Sequence, residues 1–199
     1  MRALLLVDIQ NDFLPGGALA VTDGDAVVPV ANALMPGYPL VVATQDWHPA
    51  GHESFASAHE GRAPGELIDL HGLPQVLWPD HCVQQRPGAS FASGLHVAPI
   101  AHVTRKGTHT NVDSYSGFFD NGKRHATDLH DFLQREGVTD LDIVGLATDY
   151  CVRFTAVDAA QLGYGTRLHL RGVRGVELAK GDCADAIEAM RHAGVEIVG

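Results

Sequence analysis

The sequence predicts an α/β domain built on a parallel β-sheet. Six short apolar runs, at residues 3–9, 40–43, 100–104, 141–147, 166–170 and 195–198, read as buried strands. Stretches with helical spacing separate several of them, and that alternation implies parallel strands joined by helical crossovers. Three residues suited to acyl-transfer chemistry, Asp8, Lys106 and Cys151, each follow such a run. In an open parallel sheet, strand ends gather along one edge, where crevices bind ligands.

Along the chain, Leu4-Leu5-Leu6-Val7 forms the heart of the first strand and Asp8 closes it. Helical spacing over 25–34 leads to the second strand at 40–43. The segment from about 47 to 94 is rich in Gly, Pro and His and weak in periodicity, so it reads as a long excursion. Loops of such length inside a compact domain are uncommon and often functional. A third strand follows at 100–104, then a helix at 126–136 and a strand at 141–147. The helix expected at 152–162 places Cys151 in its first turn. After a strand at 166–170, the last helix, 182–193, has a plausible Asp182 cap and ends at Gly194, ahead of the strand at 195–198.

A chain of 199 residues with 45% hydrophobic residues suits one globular domain, here expected to span 1–199. No apolar run approaches the roughly 20 residues needed to cross a bilayer, and residues 3–7 are too short for a signal peptide. The expected location is the cytoplasm. Cys82, Cys151 and Cys183 are odd in number and lack pairwise spacing, which favours reduced thiols over disulfides. A formal charge of −10 without a Lys/Arg cluster disfavours nucleic acid and anionic membrane as partners. A small neutral substrate fits better.

At a strand-to-helix turn, backbone N–H groups and the helix dipole can lower a thiol's pKa and hold an oxyanion, so Cys151 is the candidate nucleophile. Lys106 would favour the thiolate, and only one of Arg105 and Lys106 can enter the pocket, because neighbours in a strand point to opposite faces. Asp8 could move a proton. Asp46 and His48 stand two apart, on one side of an extended backbone, and with His81 they could hold one divalent ion. His52 ranks below these three because Pro49 and Gly51 make its reach uncertain. His59, His71, His96, His102, His125, His130, His169 and His192 read as polar surface. Two His and one carboxylate also suit a non-haem iron oxygenase, a chemistry that needs neither Cys151 nor Lys106. A metal- or redox-sensing module using Cys151 and Cys82 is a further alternative.

Taken together, Val7-Asp8-Ile9-Gln10-Asn11-Asp12-Phe13 with Gly16-Gly17, Thr44-Gln45-Asp46-Trp47-His48-Pro49, Trp78-Pro79-Asp80-His81-Cys82-Val83, Lys106-Gly107 and Gly145-Leu146-Ala147-Thr148-Asp149-Tyr150-Cys151-Val152 resemble the nicotinamidase family. That family lies within the isochorismatase-like cysteine hydrolases. The resemblance implies a three-layer α/β/α, Rossmann-like fold with a six-stranded parallel sheet, and an Asp8, Lys106, Cys151 triad acting through a thioester. It implies that nicotinamide becomes nicotinate and ammonia, as in NAD salvage, and that pyrazinamide also fits. It further implies a metal on Asp46, His48 and His81, zinc first, with iron or manganese as alternatives. The same resemblance suggests a cis bond between Leu146 and Ala147, an oxyanion hole from the N–H groups of Ala147 and Cys151, and a ring pocket walled by Phe13, Trp78 and Tyr115. Tyr150 falls where the family varies. A homo-oligomer and a related hydrolase of another small amide or carbamoyl compound stay open.

Overall fold

Alternation along the first strand, β1 (Arg2–Val7), sets the layering. Ala3, Leu5 and Val7 enter one core while Leu4 and Leu6 enter another, and all five are fully buried. Burying each Leu contributes about 2 kcal/mol, so a central strand with apolar residues on both sides drives the sheet between two helical layers. In the computed structural model, which describes residues 1–199, six parallel strands form that sheet in the order β5-β2-β1-β6-β7-β8. The others are β2 (Val41–Asp46), β5 (Ile100–Lys106), β6 (Asp140–Leu146), β7 (Gly165–Arg174) and β8 (Glu196–Val198). Helix α1 (Val27–Leu34) packs on the Leu4/Leu6 side. Helices α2 (Leu129–Arg135), α3 (Arg153–Gln161) and α4 (Asp182–His192) pack on the other.

The chain runs outward from β1 through β2 to β5, then returns to the opposite side of β1 with β6 and continues to β8. The order therefore reverses between β1 and β6. Crevices outside the carboxyl ends of strands open at such switch points, and Asp8 and Ala147 follow those two strand ends directly.

Several expected boundaries shift. The first strand stops at Val7, because Asp8 turns the chain with φ 48°. Strands β2 and β7 run on past the expected residues 43 and 170, to Asp46 and Arg174, because ladder bonds continue beyond the apolar runs. Asp182 does not cap α4. Gly181 holds the N-cap position at φ 107°, and the Asp182 carboxylate instead accepts from the Ala179 N–H, outside the helix. Gly194, at φ 91°, does end that helix, with Val195 N–H reaching back to the Met190 carbonyl. The excursion holds a hairpin that the sequence concealed, β3 (Leu67–Leu70) with β4 (Leu73–Val76). Its two-residue turn, His71-Gly72, has positive φ at both positions (52° and 85°), the geometry that matches strand twist. An exposed Leu67 and a Pro inside β4 hide the strand pattern.

At the amino ends of the strands, remote from the switch point, Asp142 of β6 is fully buried and accepts from Arg2 (2.6 Å), Arg167 (2.8 and 2.7 Å), His169 (2.8 Å) and the Tyr38 hydroxyl. His169, expected as plain surface, thus belongs to an ion cluster. Burial works to raise the Asp142 carboxyl, but bonds from Arg167, Tyr38, His169 and Arg2 outweigh it and hold the group well below the usual carboxylate range. Because the folded value lies below the unfolded one, this stabilisation is complete above the unfolded value of about 4 and is lost as pH falls below it. Removing one partner of a buried pair costs roughly 3 to 5 kcal/mol. Here Arg2 and Arg167 are a third exposed, at 34% and 31%, and can rehydrate. Asp142→Ala should therefore cost about 2 to 3 kcal/mol at pH 7. Urea unfolding at pH 7 and pH 3 checks this, since the deficit should shrink at pH 3.

Candidate active site

Asp46 and Lys106 are the last residues of neighbouring parallel strands and stand in register, so their side chains project side by side. Lys106 is 1% exposed. Arg105 takes the opposite face, its guanidinium 4.0 Å from the Trp47 ring centroid, as strand alternation requires. Lys106 Nζ donates to Asp46 Oδ1 (2.7 Å), the Ser114 carbonyl (2.8 Å) and Cys151 Sγ (3.3 Å). Asp8 Oδ2 lies 2.9 Å from the same Nζ, a buried ion pair, while Thr44 Oγ1 donates to the other Asp8 oxygen at 2.5 Å. Lys106 thus joins a buried carboxylate and the thiol, and that carboxylate is the group placed to take the thiol's proton.

Cys151 sits in a π-helical turn, Thr148–Val152, ahead of α3 and not in that helix's first turn. Single π turns occur often at functional sites. The cis peptide bond falls between Leu146 and Ala147, as the resemblance suggests. Burial pushes the Cys151 thiol well above its ordinary value. Lys106 pulls it down, but Asp8 and Asp46 push it up again. This reverses the direction expected from a helix start beside a lysine, because burial, with two carboxylates added to it, outweighs the ammonium. Burial also raises Asp8 above the usual carboxylate range against the pull of Lys106. Lys106 itself is lowered by burial but raised further by Asp46, Asp8 and Cys151, and remains charged.

Asp46 Oδ2 faces two imidazoles, 3.3 Å from His48 Nε2 and 3.5 Å from His81 Nε2. His48 Nδ1 lies 3.0 Å from the Gly107 carbonyl and His81 Nδ1 2.8 Å from the Pro79 carbonyl, so both Nδ1 atoms carry the proton. Each Nε2 then offers a lone pair toward the carboxylate, the arrangement in which histidines ligate metals. His48 Nε2 is buried, and the Asp46 carboxylate at 3.3 Å is the group it faces. The donor set fits a divalent cation. Gly107 is required for this packing, since a Cβ there would lie 2.5 Å from His48 Cε1.

His52 is close, with ring centroids 4.4 Å from His48, but its tautomer is opposite. The Ser54 N–H donates to His52 Nδ1 at 3.1 Å, which leaves the proton on Nε2. Burial, and then His48, lower its pKa to about 4, so the ring is neutral. His52 nevertheless belongs to a second metal-capable group, with His48 and Asp113. His48 and His52 also approach the buried Asp113, a neighbour with no sequence signal of its own.

Phe13, Trp78 and Tyr115 line one cavity together with Asp46, His81, Ala147 and Cys151. Tyr115 is anchored by N–H bonds to its hydroxyl from Trp78 Nε1 and Gln75 Nε2, both 3.1 Å. The sequence did not single out four further wall residues, Leu19, Asp113, Tyr150 and Val176. Tyr150 packs edge-on against Trp78, centroids 4.8 Å apart, and its only sequence signal is its place beside Cys151. Leu19 and Val176 arrive from loops and carry none. The cavity is mainly apolar with convergent polar groups at one end, the usual character of a small-molecule site.

Residues 2–199 match the model of the isochorismatase domain family. The chain is 52% identical to the nicotinamidase of Escherichia coli over 202 residues, 98% of this chain and 93% of that one. A nicotinamidase/pyrazinamidase structure from Acinetobacter baumanii superposes with a TM-score of 0.96 at 41% identity, over 99% of this chain and 95% of that one. A pyrazinamidase from Pyrococcus horikoshii, solved in complex with zinc, gives 0.80 at 38% identity, over 99% and 98%. No helix of this chain is long and apolar enough to cross a membrane.

Proposed function

Because the chain belongs to the isochorismatase domain family, we propose that it hydrolyses nicotinamide to nicotinate and ammonia through a thioester on Cys151. One observation carries the mechanism: a thiol, an ammonium and a buried carboxylate meet beside a metal-capable trio, and Cys151, Asp46 and His81 face one cavity. An oxygenase would leave the first three idle.

Cys151 Sγ attacks the carboxamide carbon while its proton passes to Asp8 Oδ2. Burial raises both the thiol and the carboxyl above their ordinary values, and both meet at Lys106, which lies 2.9 Å from Asp8 Oδ2 and 3.3 Å from Cys151 Sγ. The N–H groups of Ala147 and Cys151 receive the developing oxyanion. Asp8 then returns the proton to the departing nitrogen, ammonia leaves, and the acyl group remains on sulfur. A water molecule attacks the thioester carbon as Asp8 takes its proton, the C–S bond breaks, and Asp8 returns that proton to the departing sulfur, which leaves nicotinate (its acid proton lost to solvent) and the restored thiol. Lys106 holds Asp8 and Cys151 in place and stabilises negative charge on sulfur. Asp46, His48 and His81 would hold a divalent cation, which supplies a Lewis-acid anchor for the pyridine nitrogen. Zinc is the first choice, because imidazole and carboxylate donors suit it and the Pyrococcus relative was solved with it, while iron and manganese also accept this donor set. Phe13, Trp78 and Tyr115 wall the ring. Pyrazinamide, nearly isosteric, is a second substrate.

Ammonia release across nicotinamide, pyrazinamide, an aliphatic amide and a carbamoyl compound tests the reading. Turnover confined to the last two would assign a different hydrolase. Metal removal separates the two halves of the site. After chelation, KM for nicotinamide should rise about tenfold or more, whereas the alkylation rate of Cys151 by iodoacetamide should change far less. An unchanged KM would overturn that division of labour.

A further inference from the structure

We infer that Gln10 and Asp12, in the segment following Asp8, are positioning residues that hold all three metal ligands by their backbones without ligating. The inference rests on the metal reading of Asp46, His48 and His81. Gln10 is fully buried, and its side chain spans both polar groups of Asp46. Its Oε1 accepts the Asp46 N–H at 2.8 Å and its Nε2 donates to the Asp46 carbonyl at 2.8 Å. The same Nε2 reaches the Ala89 carbonyl at 2.9 Å, so Gln10 is itself fixed.

Asp12 secures the other two ligands through one residue between them. Its Oδ2 accepts the Cys82 N–H at 2.7 Å. Cys82 follows His81 directly, and its carbonyl accepts the His48 N–H at 3.0 Å. Cys82 has φ 46°, a left-handed backbone that a non-glycine residue keeps only where its surroundings impose it. The Asp12 carboxylate is the group that binds this residue's N–H. Gly88 leaves room for that carboxylate, because a Cβ there would lie 2.0 Å from Asp12 Oδ2. Next in sequence, Phe13 packs against the His81 ring with centroids 5.6 Å apart. A segment that begins with the base of the triad therefore also frames the metal centre. Outer partners that orient ligands typically change metal affinity about tenfold to hundredfold when removed.

The test is titration of metal-free protein with Co²⁺ against a chromogenic chelator, with the cobalt absorption bands recorded as a readout of ligand geometry. In Asp12→Ala the dissociation constant should rise about tenfold to hundredfold and the bands should shift. Asp12→Asn should recover most of the affinity, because an amide oxygen still accepts the Cys82 N–H. Gly88→Ala, which displaces the carboxylate by contact, and Gln10→Ala should weaken binding in the same direction. If Asp12→Ala does not fold, judged by circular dichroism of the metal-free protein, Gly88→Ala decides. Cobalt affinity and bands equal to wild type in Asp12→Ala, or in Gly88→Ala where it decides, overturn the inference alone. A wild-type protein that takes up no cobalt overturns the metal reading and the inference with it.

Discussion

Replacing Cys151 by Ala should reduce ammonia release from nicotinamide to background, a loss on the order of 10⁵-fold in kcat, the scale on which loss of a covalent nucleophile is felt in acyl transfer. No neighbouring group can take its place. Cys82, the other buried thiol, has its pKa raised by burial and then by Asp46 and Asp8, and does not line the substrate cavity. Fold and metal affinity should persist in the variant, because Cys151 accepts only one side-chain bond, from Lys106 at 3.3 Å, and lies outside the trio of Asp46, His48 and His81. Steady-state ammonia release, cobalt titration and a thermal melt together check this. Turnover within tenfold of wild type would mean that the thioester route is wrong.

Lys106→Met should affect both stability and chemistry. One ammonium here faces two buried carboxylates, at 2.9 Å from Asp8 and 2.7 Å from Asp46, and none of the three side chains is more than 5% exposed. Removing the cation leaves both negative charges without their partner, a loss of about 3 to 5 kcal/mol. The same change removes the charge that favours negative sulfur, so kcat/KM should fall by on the order of 10³-fold. Stability and activity can be separated. Adding Asp8→Asn removes one of the stranded charges, so the double variant should be more stable than Lys106→Met alone while remaining inactive. Urea unfolding of the single and double variants checks the coupling. A double variant no more stable than the single would mean that Asp8 and Lys106 do not share their charge as their distance implies.

Apolar runs made the strands legible because each one is local. Leu4-Leu5-Leu6 reports a buried strand whatever surrounds it, and the same holds for the runs that became β2, β5 and β6. Candidate site residues were legible for a related reason, since Asp8, Lys106 and Ala147 stand at or just beyond strand ends that a parallel sheet must align. The β3/β4 hairpin escaped notice because its strands are four residues long and half-exposed. Asp182 followed the usual capping preference, but Gly181 already supplied the turn.

By itself, the sequence determined the α/β class, the helix-crossover connectivity and the residue types available for thiol and metal chemistry. Tertiary structure alone decided which of those residues touch. Strand order put Lys106 beside Asp46 and left Arg105 on Trp47, and two loops closed the cavity with Leu19 and Val176. It also decided the sign of the thiol's pKa shift. A local motif presents a lysine and a helix start, but the free energy of a charge depends on all the dipoles, charges and desolvation around it. At Cys151 these come from segments that approach one another only after folding, and burial together with two carboxylates outweighs one shared ammonium.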